Sequence, residues 1–272
     1  MQELLLQADK IEQQALESLH QIASAEQTKA LGLIAQWVDG AWLSMASVLP
    51  SSAIVINRCL GLGVYQRALQ SQVQQIAALY KQAGVGRCFV HLAKYTQPNH
   101  NMIAEWLTEQ GFSPARGWMK FKHTGVQEYA VDSELKVRKA EPADYSSIGQ
   151  ILAAAFDLGE QAESWLAALP EAENWHTYVT ISEDQVAGTG SIYIKEGIGW
   201  LDWGATAPEF RRQGSQGLVL QKRLEHAGAL GCEHLFTATG EAVAGDPQDS
   251  YHNITRFGFA PLGIRANYQP SH

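Results

Sequence analysis

The amino-acid sequence predicts an α+β protein with two tandem domains, each a mixed and mostly antiparallel sheet flanked by helices. The length of 272 residues fits two domains of about 100–200 residues each. One order of strands and helices occurs twice along the chain. In the second occurrence, three β-rich runs separated by short turns are typical of an antiparallel meander. We therefore predict domains at residues 1–130 and 131–272.

The duplication is clearest around two Gly-Phe turns. Gly111-Phe112-Ser113-Pro114 corresponds to Gly258-Phe259-Ala260-Pro261, at an offset of 258 − 111 = 147 residues. A long amphipathic helix precedes each turn, at Tyr65–Gln82 and at Gly214–Leu230, and a glycine followed by a buried strand lies between helix and turn. The matched order indicates a tandem copy of one α/β unit.

The elements of the second half follow a linker that we predict near 124–135. Leu135–Arg138 alternates as a first strand, and Pro142 suits the first turn of a helix that runs to about Phe156. The remaining elements are strands at Trp175–Ile181, Val186–Ile194 and Trp200–Thr206, the long helix, a strand at Leu235–Thr239, a helix around Asp249–Phe257 and a last strand near Ile264–Tyr268.

Charge is distributed unevenly between the two halves. Residues 1–130 carry 10 Lys+Arg and 9 Asp+Glu, so the other residues carry 20 − 10 = 10 and 28 − 9 = 19, a net charge of −9. An acidic half disfavours nucleic-acid binding, because phosphates require a basic surface. The excess negative charge of the second half could attract a cationic small molecule, or it could serve solubility alone.

Several classes of protein are not indicated. Cys59, Cys88 and Cys232 are odd in number and far apart, and the sequence has no His-Glu-x-x-His run, so we expect neither a disulfide framework nor a metal site. We recognise no signal peptide and no apolar run of about 18 residues, so we expect no membrane span. A cytoplasmic protein is the simplest interpretation.

One loop of the second half has the chemistry of an anion site. Arg211-Arg212-Gln213-Gly214-Ser215-Gln216-Gly217 lies between a strand and a helix. The N–H groups at a helix start have no internal partners, and together with the helix dipole they favour a bound anion. The two glycines allow close approach of the backbone, and the two arginines add positive charge. Without a Walker lysine, the loop suits a diphosphate held mainly by the backbone.

At this loop the second half resembles the GNAT superfamily of acyl-CoA-dependent N-acyltransferases. The family signature is Arg/Gln-x-x-Gly-x-Gly/Ala; here Arg211 and Gly214 match, Gln216 stands at the last position and Gly217 follows it. The strand that ends Ala205-Thr206-Ala207-Pro208-Glu209 and the later Gly258-Phe259 also resemble the family. The resemblance covers about residues 135–270 and, more weakly, the first half.

The resemblance implies an acyl-CoA site and indicates which residues would contact each part of the acyl-CoA. The backbone of Ala205, Thr206 and Ala207 would pair with the pantetheine arm, and Ser250 and Asn253 could bond to the same arm. The residues that would hold the pyrophosphate are Arg211, Arg212, Gln213, Gly214, Ser215, Gln216 and Gly217. In the first half the matching junction contains Gly61 and Gly63 but lacks the arginine pair, so we predict a degenerate copy that binds no acyl-CoA.

Acyl transfer to an amine requires a base for the amine proton and an acid for the departing thiolate. Many members of the resembled family have a tyrosine four residues before the glycine of the Gly-Phe turn, where this chain has Ile254. Tyr251 is the nearest candidate acid, although it could be a packing residue. Asp202 is the first candidate base and Glu241 the second, and either could be a surface carboxylate.

We therefore predict an N-acetyltransferase that moves an acetyl group from acetyl-CoA to a primary amine of a small molecule or peptide. The alternative is a non-catalytic acyl-CoA-binding or regulatory module, which the isoleucine at position 254 suggests. No nucleic acid, membrane or metal is expected, and a homodimer is left open.

Overall fold

The computed structural model describes residues 1–123, 129–245 and 248–271. It confirms the α+β class, with mostly antiparallel strands flanked by helices. Residues 124–128 of the expected linker lie outside the described part.

The chain forms two compact units: unit 1 contains Met1–Met119 and the residues from Gly263 onward, and unit 2 contains Lys120–Leu262. The sequence places the division near residue 130 and assigns the last strand to the second half, whereas the structure places most of that strand in unit 1.

The elements of unit 1 begin with two helices. Ser24 caps the second helix through a reciprocal pair of bonds with Gln27. Asn99 caps the fourth helix by accepting from Met102 N–H at 3.0 Å. The elements in chain order are α1 (Gln2–Gln21), α2 (Ala25–Leu31), β1 (Leu33–Val38), β2 (Ala41–Ala46), β3 (Arg58–Leu60), α3 (Gln70–Gln82), β4 (Phe89–Leu92), α4 (His100–Glu109) and β5 (Phe112–His123), which continues into unit 2 from Lys120.

The elements of unit 2 continue the chain order. They are β6 (Lys136–Lys139), α5 (Tyr145–Ala155), α6 (Glu163–Leu166), β7 (Trp175–Ser182), β8 (Gln185–Lys195), β9 (Ile198–Thr206), α7 (Ser215–Ala229), β10 (His234–Gly240) and α8 (Asp249–Arg256). The last strand, β11 (Ala260–Pro270), begins here and continues into unit 1.

The sheet of unit 1 has the order β1-β2-β3-β4-β11. The pair β3/β4 is parallel and the other pairs are antiparallel. Ala266, Asn267 and Tyr268 of β11 lie opposite Leu92, His91 and Val90. A local pattern predicts that a segment is a strand, but it does not specify which sheet edge the strand joins. The compact units therefore do not coincide with the predicted domains, which stay a prediction.

A buried ion network ties β11 to the rest of unit 1. Arg265 donates from two nitrogens to the Glu12 carboxylate, at 2.5 and 2.9 Å, and contacts Asp9 at 3.2 Å. Arg58 donates to Glu12 at 2.8 Å, and the Tyr95 hydroxyl bonds Asp9. Burial lowers the pKa of Arg265, but the Glu12 charge and hydrogen bonds outweigh it and hold that pKa above its usual value.

The sheet of unit 2 has the order β10-β9-β8-β7-β6, and its only parallel pair among the described strands is β9/β10. α7 packs on β7, β8 and β9, and α5 packs on β8 and β9. Buried apolar side chains from these elements form the core, including Ile148, Leu152, Val179, Ala187, Ile192, Val219 and Phe236.

Two predicted helices begin later than expected. α3 starts at Gln70 rather than near Tyr65, because the preceding loop is held by Gln97, which bonds Gly63 and Ala68 through its backbone. Pro142 begins a 3-10 turn, and α5 follows from Tyr145. No helix among the described residues is long and apolar enough to cross a membrane.

Candidate active site

Two parallel strands separate in unit 2 and leave a wedge between them. In the described chain, β9 and β10 pair at Ile198–Trp200 with His234–Phe236. Just beyond the last pair, the Thr237 hydroxyl donates to the Leu201 carbonyl at 2.8 Å. The following residues of both strands line a cavity of about 1100 Å³. This volume is at the upper end of ligand pockets and suits a long ligand.

The walls of the cavity come from seven parts of unit 2, one of which is the loop before α7 that carries Arg211 and Arg212. β9 and β10 form two walls, and the first turns of α7 and one face of α8 form two more. The end of α5 contributes Ala155 and Phe156, and the segment before β6 contributes Tyr129–Asp132. The cavity therefore runs from a helix N-terminus into the opening between the strands.

The N-terminus of α7 has the geometry that anion binding requires. A 3-10 turn at Pro208–Phe210 leads into the loop, where Arg212 (φ 63°) and Gly214 (φ 87°) adopt the left-handed conformation. Gly214 is the N-cap, and Leu218 N–H bonds its carbonyl at 3.1 Å. The N–H groups of the first turn precede that bond and so have no intrahelical acceptor. They can therefore bind a negatively charged group.

Ser215 anchors this helix start to the sheet. Its side chain is buried and lies 2.7 Å from the Thr180 hydroxyl, while Thr206 donates to it at 3.3 Å. A Cβ at Gly188 would overlap the Ser215 hydroxyl. Glycine at position 188 is therefore what allows the loop to sit this close to β8.

Gln216, where the family signature has Gly or Ala, turns its side chain toward β9. Its amide donates to the Thr206 hydroxyl at 2.9 Å, and its Oε1 lies 2.9 Å from the position that a Cβ at Gly204 would occupy. The long side chain therefore lies along the wall of the cavity, beside the strand to which the sequence assigns the pantetheine arm.

Residues Tyr129–Ser133, which we call the linker segment, cover the two glycines of the loop. Ser133 donates to the Gln213 carbonyl at 2.6 Å, and its Cβ lies 2.8 Å from the Cβ position of Gly214. Val131 lies 3.2 Å from the Cβ position of Gly217. The glycines thus make room for the linker segment as well as for any ligand.

The structure brings most of the predicted cosubstrate residues to the cavity. Those that line it are Ala205, Thr206, Arg211, Arg212, Gly214, Ser215, Gln216, Gly217, Ser250 and Asn253. Ala207 and Gln213 do not line it: Ala207 N–H bonds the Ala187 carbonyl, and the Gln213 side chain turns back to the Glu209 carbonyl. A role for these two in binding remains a prediction.

The candidate base Asp202 lies in the cavity wall at an irregularity of β9. The register with β8 shifts between Thr189 and Ser191, and Trp203 has a φ of 51°. One Asp202 oxygen accepts from Trp203 N–H at 2.8 Å, and the other accepts from the Trp200 indole at 3.0 Å. The carboxylate therefore supports the irregularity of β9 from within the cavity wall.

The candidate acid Tyr251 and the second candidate base Glu241 lie outside the cavity wall, unlike Ile254. Ile254 lines the cavity, so an apolar side chain occupies the position where a tyrosine is common in the resembled family. The Tyr251 ring packs edge-on against Phe121 at 4.9 Å, and neither Tyr251 nor Glu241 is part of the cavity wall. These placements favour the packing interpretation of Tyr251.

Arg223 is a cavity residue that the sequence interpretation missed. It lies on the buried face of α7 with Val219, Leu220, Leu224 and Ala227. The signal was available, since an arginine within an apolar helical stripe needs buried partners. The linker segment was also missed, because nothing in a local pattern indicates which distant loop a connecting segment will contact.

The corresponding junction of unit 1 is closed by its own chain. Leu62 and Ala68 are buried within the loop that follows β3. Ala68 N–H bonds the Gln97 carbonyl at 2.8 Å, and Gln97 N–H bonds the Gly63 carbonyl at 2.8 Å. A Cβ at Gly63 would lie 2.8 Å from the Gln97 carbonyl oxygen. The glycines here serve internal packing.

The fold is that of the GNAT N-acetyltransferases. Solved structures with this fold include a GCN5-related N-acetyltransferase from Kribbella flavida (TM-score 0.61, 14% identity, 97% of this chain and 96% of that one). Another, from Sphaerobacter thermophilus, has a TM-score of 0.57 at 12% identity over 85% of this chain and 76% of that one. A tandem GNAT protein from the clavulanic acid biosynthesis pathway has a TM-score of 0.51 at 11% identity over 84% and 81%.

Residues 145–259 match the model of the acetyltransferase (GNAT) family, and this part of the chain is a GNAT acetyltransferase domain. Comparison with curated protein sequences finds no match. Members of the family are in general acyl-CoA-dependent acetyltransferases. In the described part of the chain, no group of three or more His, Cys, Asp or Glu side chains could hold a metal ion.

Proposed function

We propose that the protein is an N-acetyltransferase that transfers the acetyl group of acetyl-CoA to a primary amine of a small molecule or peptide. The observation that carries this proposal is the continuous cavity that joins the α7 N-terminus to the opening between β9 and β10. The helix N-terminus suits the pyrophosphate, and the opening gives the thioester access to residues of both strands.

The pyrophosphate would lie at the first turn of α7, with the Arg211 and Arg212 side chains beside it. The pantetheine arm would follow β9 past Thr206 and Gly204, with Ser250 and Asn253 of α8 on the other side. Acetyl-CoA supplies the activated acyl group. The amine nitrogen attacks the thioester carbonyl carbon, the C–S bond breaks, and the nitrogen loses a proton to Asp202 or to water.

We further propose that residues 1–130 are a degenerate copy and that each chain binds one acyl-CoA in the domain at residues 131–272. The closed loop after β3 supports this, because its backbone groups already bond within unit 1. Calorimetry should give one acetyl-CoA per chain, and two equivalent sites would contradict the proposal. We also propose a cytoplasmic location, to which three free cysteines are suited.

Thermal unfolding with acetyl-CoA tests the cosubstrate assignment. A ligand that binds only the native state contributes about 2.7 kcal/mol at 100 times its Kd. Gly217→Asp should remove the rise in Tm, because it places a carboxylate at the helix start. Gly217 is a better position than Gly214, since the left-handed φ of Gly214 would add backbone strain.

The matched control is Gly86→Asp, at a glycine whose Cβ position has open space around it. This variant should keep the full rise in Tm. An equal rise in the Gly217→Asp variant would exclude the α7 loop as the acyl-CoA site.

A non-catalytic acyl-CoA-binding module is the second candidate, and the apolar Ile254 in the cavity wall favours it. Release of CoA thiol from acetyl-CoA in the presence of an amine library separates the two candidates. Release above the background of acetyl-CoA alone identifies an enzyme. Binding without release for every amine class identifies the module.

A further inference from the structure

Arg223 places a guanidinium at the irregular part of β9. The residue is 4% exposed, and its Nε donates to the Val219 carbonyl at 3.1 Å. Its Nη1 donates to two carbonyls, Ser191 at 3.0 Å and Asp202 at 3.2 Å. These bonds fix the guanidinium between β8 and β9, at the register shift.

The remaining nitrogen, Nη2, makes none of these bonds. Among the described residues it has no hydrogen-bond partner, although Arg223 is part of the cavity wall. Nη2 lies 3.2 Å from the Cβ position of Gly190 and 3.7 Å from that of Gly204. Glycine at position 190 makes room for the guanidinium itself. Gly204 and Arg223 both line the cavity, so a ligand that follows β9 would pass beside Nη2.

The guanidinium keeps its charge in this setting. Burial lowers the pKa of Arg223 to about 10, and the Asp202 carboxylate acts in the opposite direction. At neutral pH the group is therefore a cation with one carboxylate neighbour. A buried cation with an unused donor is costly unless a bound group completes its bonding.

The departing thiolate has no tyrosine to protonate it at position 254, and Tyr251 packs away from the cavity. A fixed cation can compensate, because preorganised charge stabilises a developing anion without transferring a proton.

On this basis we propose that Arg223 is a catalytic residue that stabilises the negative charge of the reacting thioester, first on the carbonyl oxygen and then on the CoA sulfur. The inference rests on the proposed function. The amine nitrogen forms the new C–N bond, and the carbonyl π pair moves to oxygen. When the carbonyl re-forms, the C–S pair leaves with sulfur. The nitrogen's proton goes to Asp202 or water, the thiolate takes its proton from solvent, and Arg223 keeps its own.

The test needs no acceptor, because the product CoA carries the same thiol. The thiol of CoA bound to the full chain is titrated by the ultraviolet absorbance of its thiolate. A cation within about 4–6 Å lowers the pKa of such a group by about 1–3 units. In the wild type, the bound thiol should titrate that far below free CoA.

Three variants separate charge from shape. Arg223→Gln should return the thiol pKa to near that of free CoA, and Arg223→Lys should keep most of the shift. Arg138→Gln, on the surface of the same unit, should leave the shift intact. If Arg223→Gln does not fold, the wild type and Arg223→Lys still decide the matter, since each must show a lowered pKa.

The outcomes also distinguish this proposal from the proposed function. Bound CoA with an unshifted thiol pKa would overturn the role of Arg223 and leave the acyl-CoA site standing. Equal shifts in the wild type and Arg223→Gln would likewise overturn it. Failure of the wild type to bind CoA would overturn the proposed function, and the Arg223 role with it.

Discussion

Gly188→Ala should displace the loop Arg211–Gly217, although position 188 is not itself part of the cavity wall. The added methyl would overlap the Ser215 hydroxyl and would lie 2.8 Å from the Ala205 carbonyl oxygen and 3.2 Å from the Thr180 hydroxyl. Ser215 could rotate only by giving up its bond to Thr180 at 2.7 Å. The carbonyl belongs to β9 and cannot move alone. The helix start and the strand must therefore separate slightly.

The expected cost follows from these contacts. Overpacking a well-packed core costs about 1–3 kcal/mol. In a domain of this size each 1 kcal/mol lowers Tm by about 2–4 °C, so we expect a fall of about 2–12 °C. Ser215→Ala alone should cost about 1–3 kcal/mol, because buried hydroxyl partners lose their bond. Acetyl-CoA affinity should fall in the Gly188→Ala variant, since the loop moves.

The double variant gives the sharpest result. With alanine at 215, the overlap with the Ser215 hydroxyl disappears, and the contacts with the Ala205 carbonyl and the Thr180 hydroxyl remain. The combined loss should therefore be smaller than the sum of the single losses by more than about 0.5 kcal/mol. Urea unfolding and the acetyl-CoA-dependent rise in Tm measure both effects. Additive losses, or a Gly188→Ala cost no larger than that of the open control Gly86→Ala, would refute the packing argument.

Three further variants test other parts of the chain. Tyr251→Phe should leave acetyl-CoA binding and turnover almost unchanged, because the ring packs outside the cavity wall; a rate loss of about 10²–10⁴-fold would identify it as the acid. Arg265→Met should cost about 3–5 kcal/mol in urea unfolding by leaving Glu12 under-compensated, against less than about 1 kcal/mol for the more exposed Arg138→Met. Burial lowers the pKa of His176 to about 4 from 6.5, so between these pH values the unfolded state binds a proton that the folded state does not. The free energy of unfolding is therefore full above pH 6.5 and decreases as pH falls toward 4. His176→Gln should flatten that part of the Tm-against-pH curve, and parallel curves would contradict this.

The loop Arg211–Gly217 was predictable from the sequence because its chemistry is local. Two arginines, a left-handed glycine and a helix start lie within seven consecutive residues, and their spacing survives in any tertiary context. The positions of the strands along the second half were predictable for a similar reason: alternating apolar residues and turn residues act over a few positions.

The surroundings of the candidate base Asp202 and the candidate acid Tyr251 could not be predicted in the same way. Asp202 was a candidate from its strand, but its bonds to Trp200 and Trp203 depend on a register shift with β8. Tyr251 had a plausible spacing, yet its ring packs on Phe121, which is 130 positions earlier (251 − 121). Side-chain direction at such positions is set by neighbours that are distant in sequence.

The sequence by itself determined the α+β class and the tandem repeat, and it predicts an anion site at the loop before α7, because backbone geometry and residue spacing specify these locally. Only the tertiary structure decided that β11 joins the sheet of unit 1, that the linker segment covers Gly214 and Gly217, and that Arg223 lies buried in the cavity wall. Each depends on pairing between segments far apart in the chain, and packing selects such pairings by burying apolar surface and satisfying polar groups together.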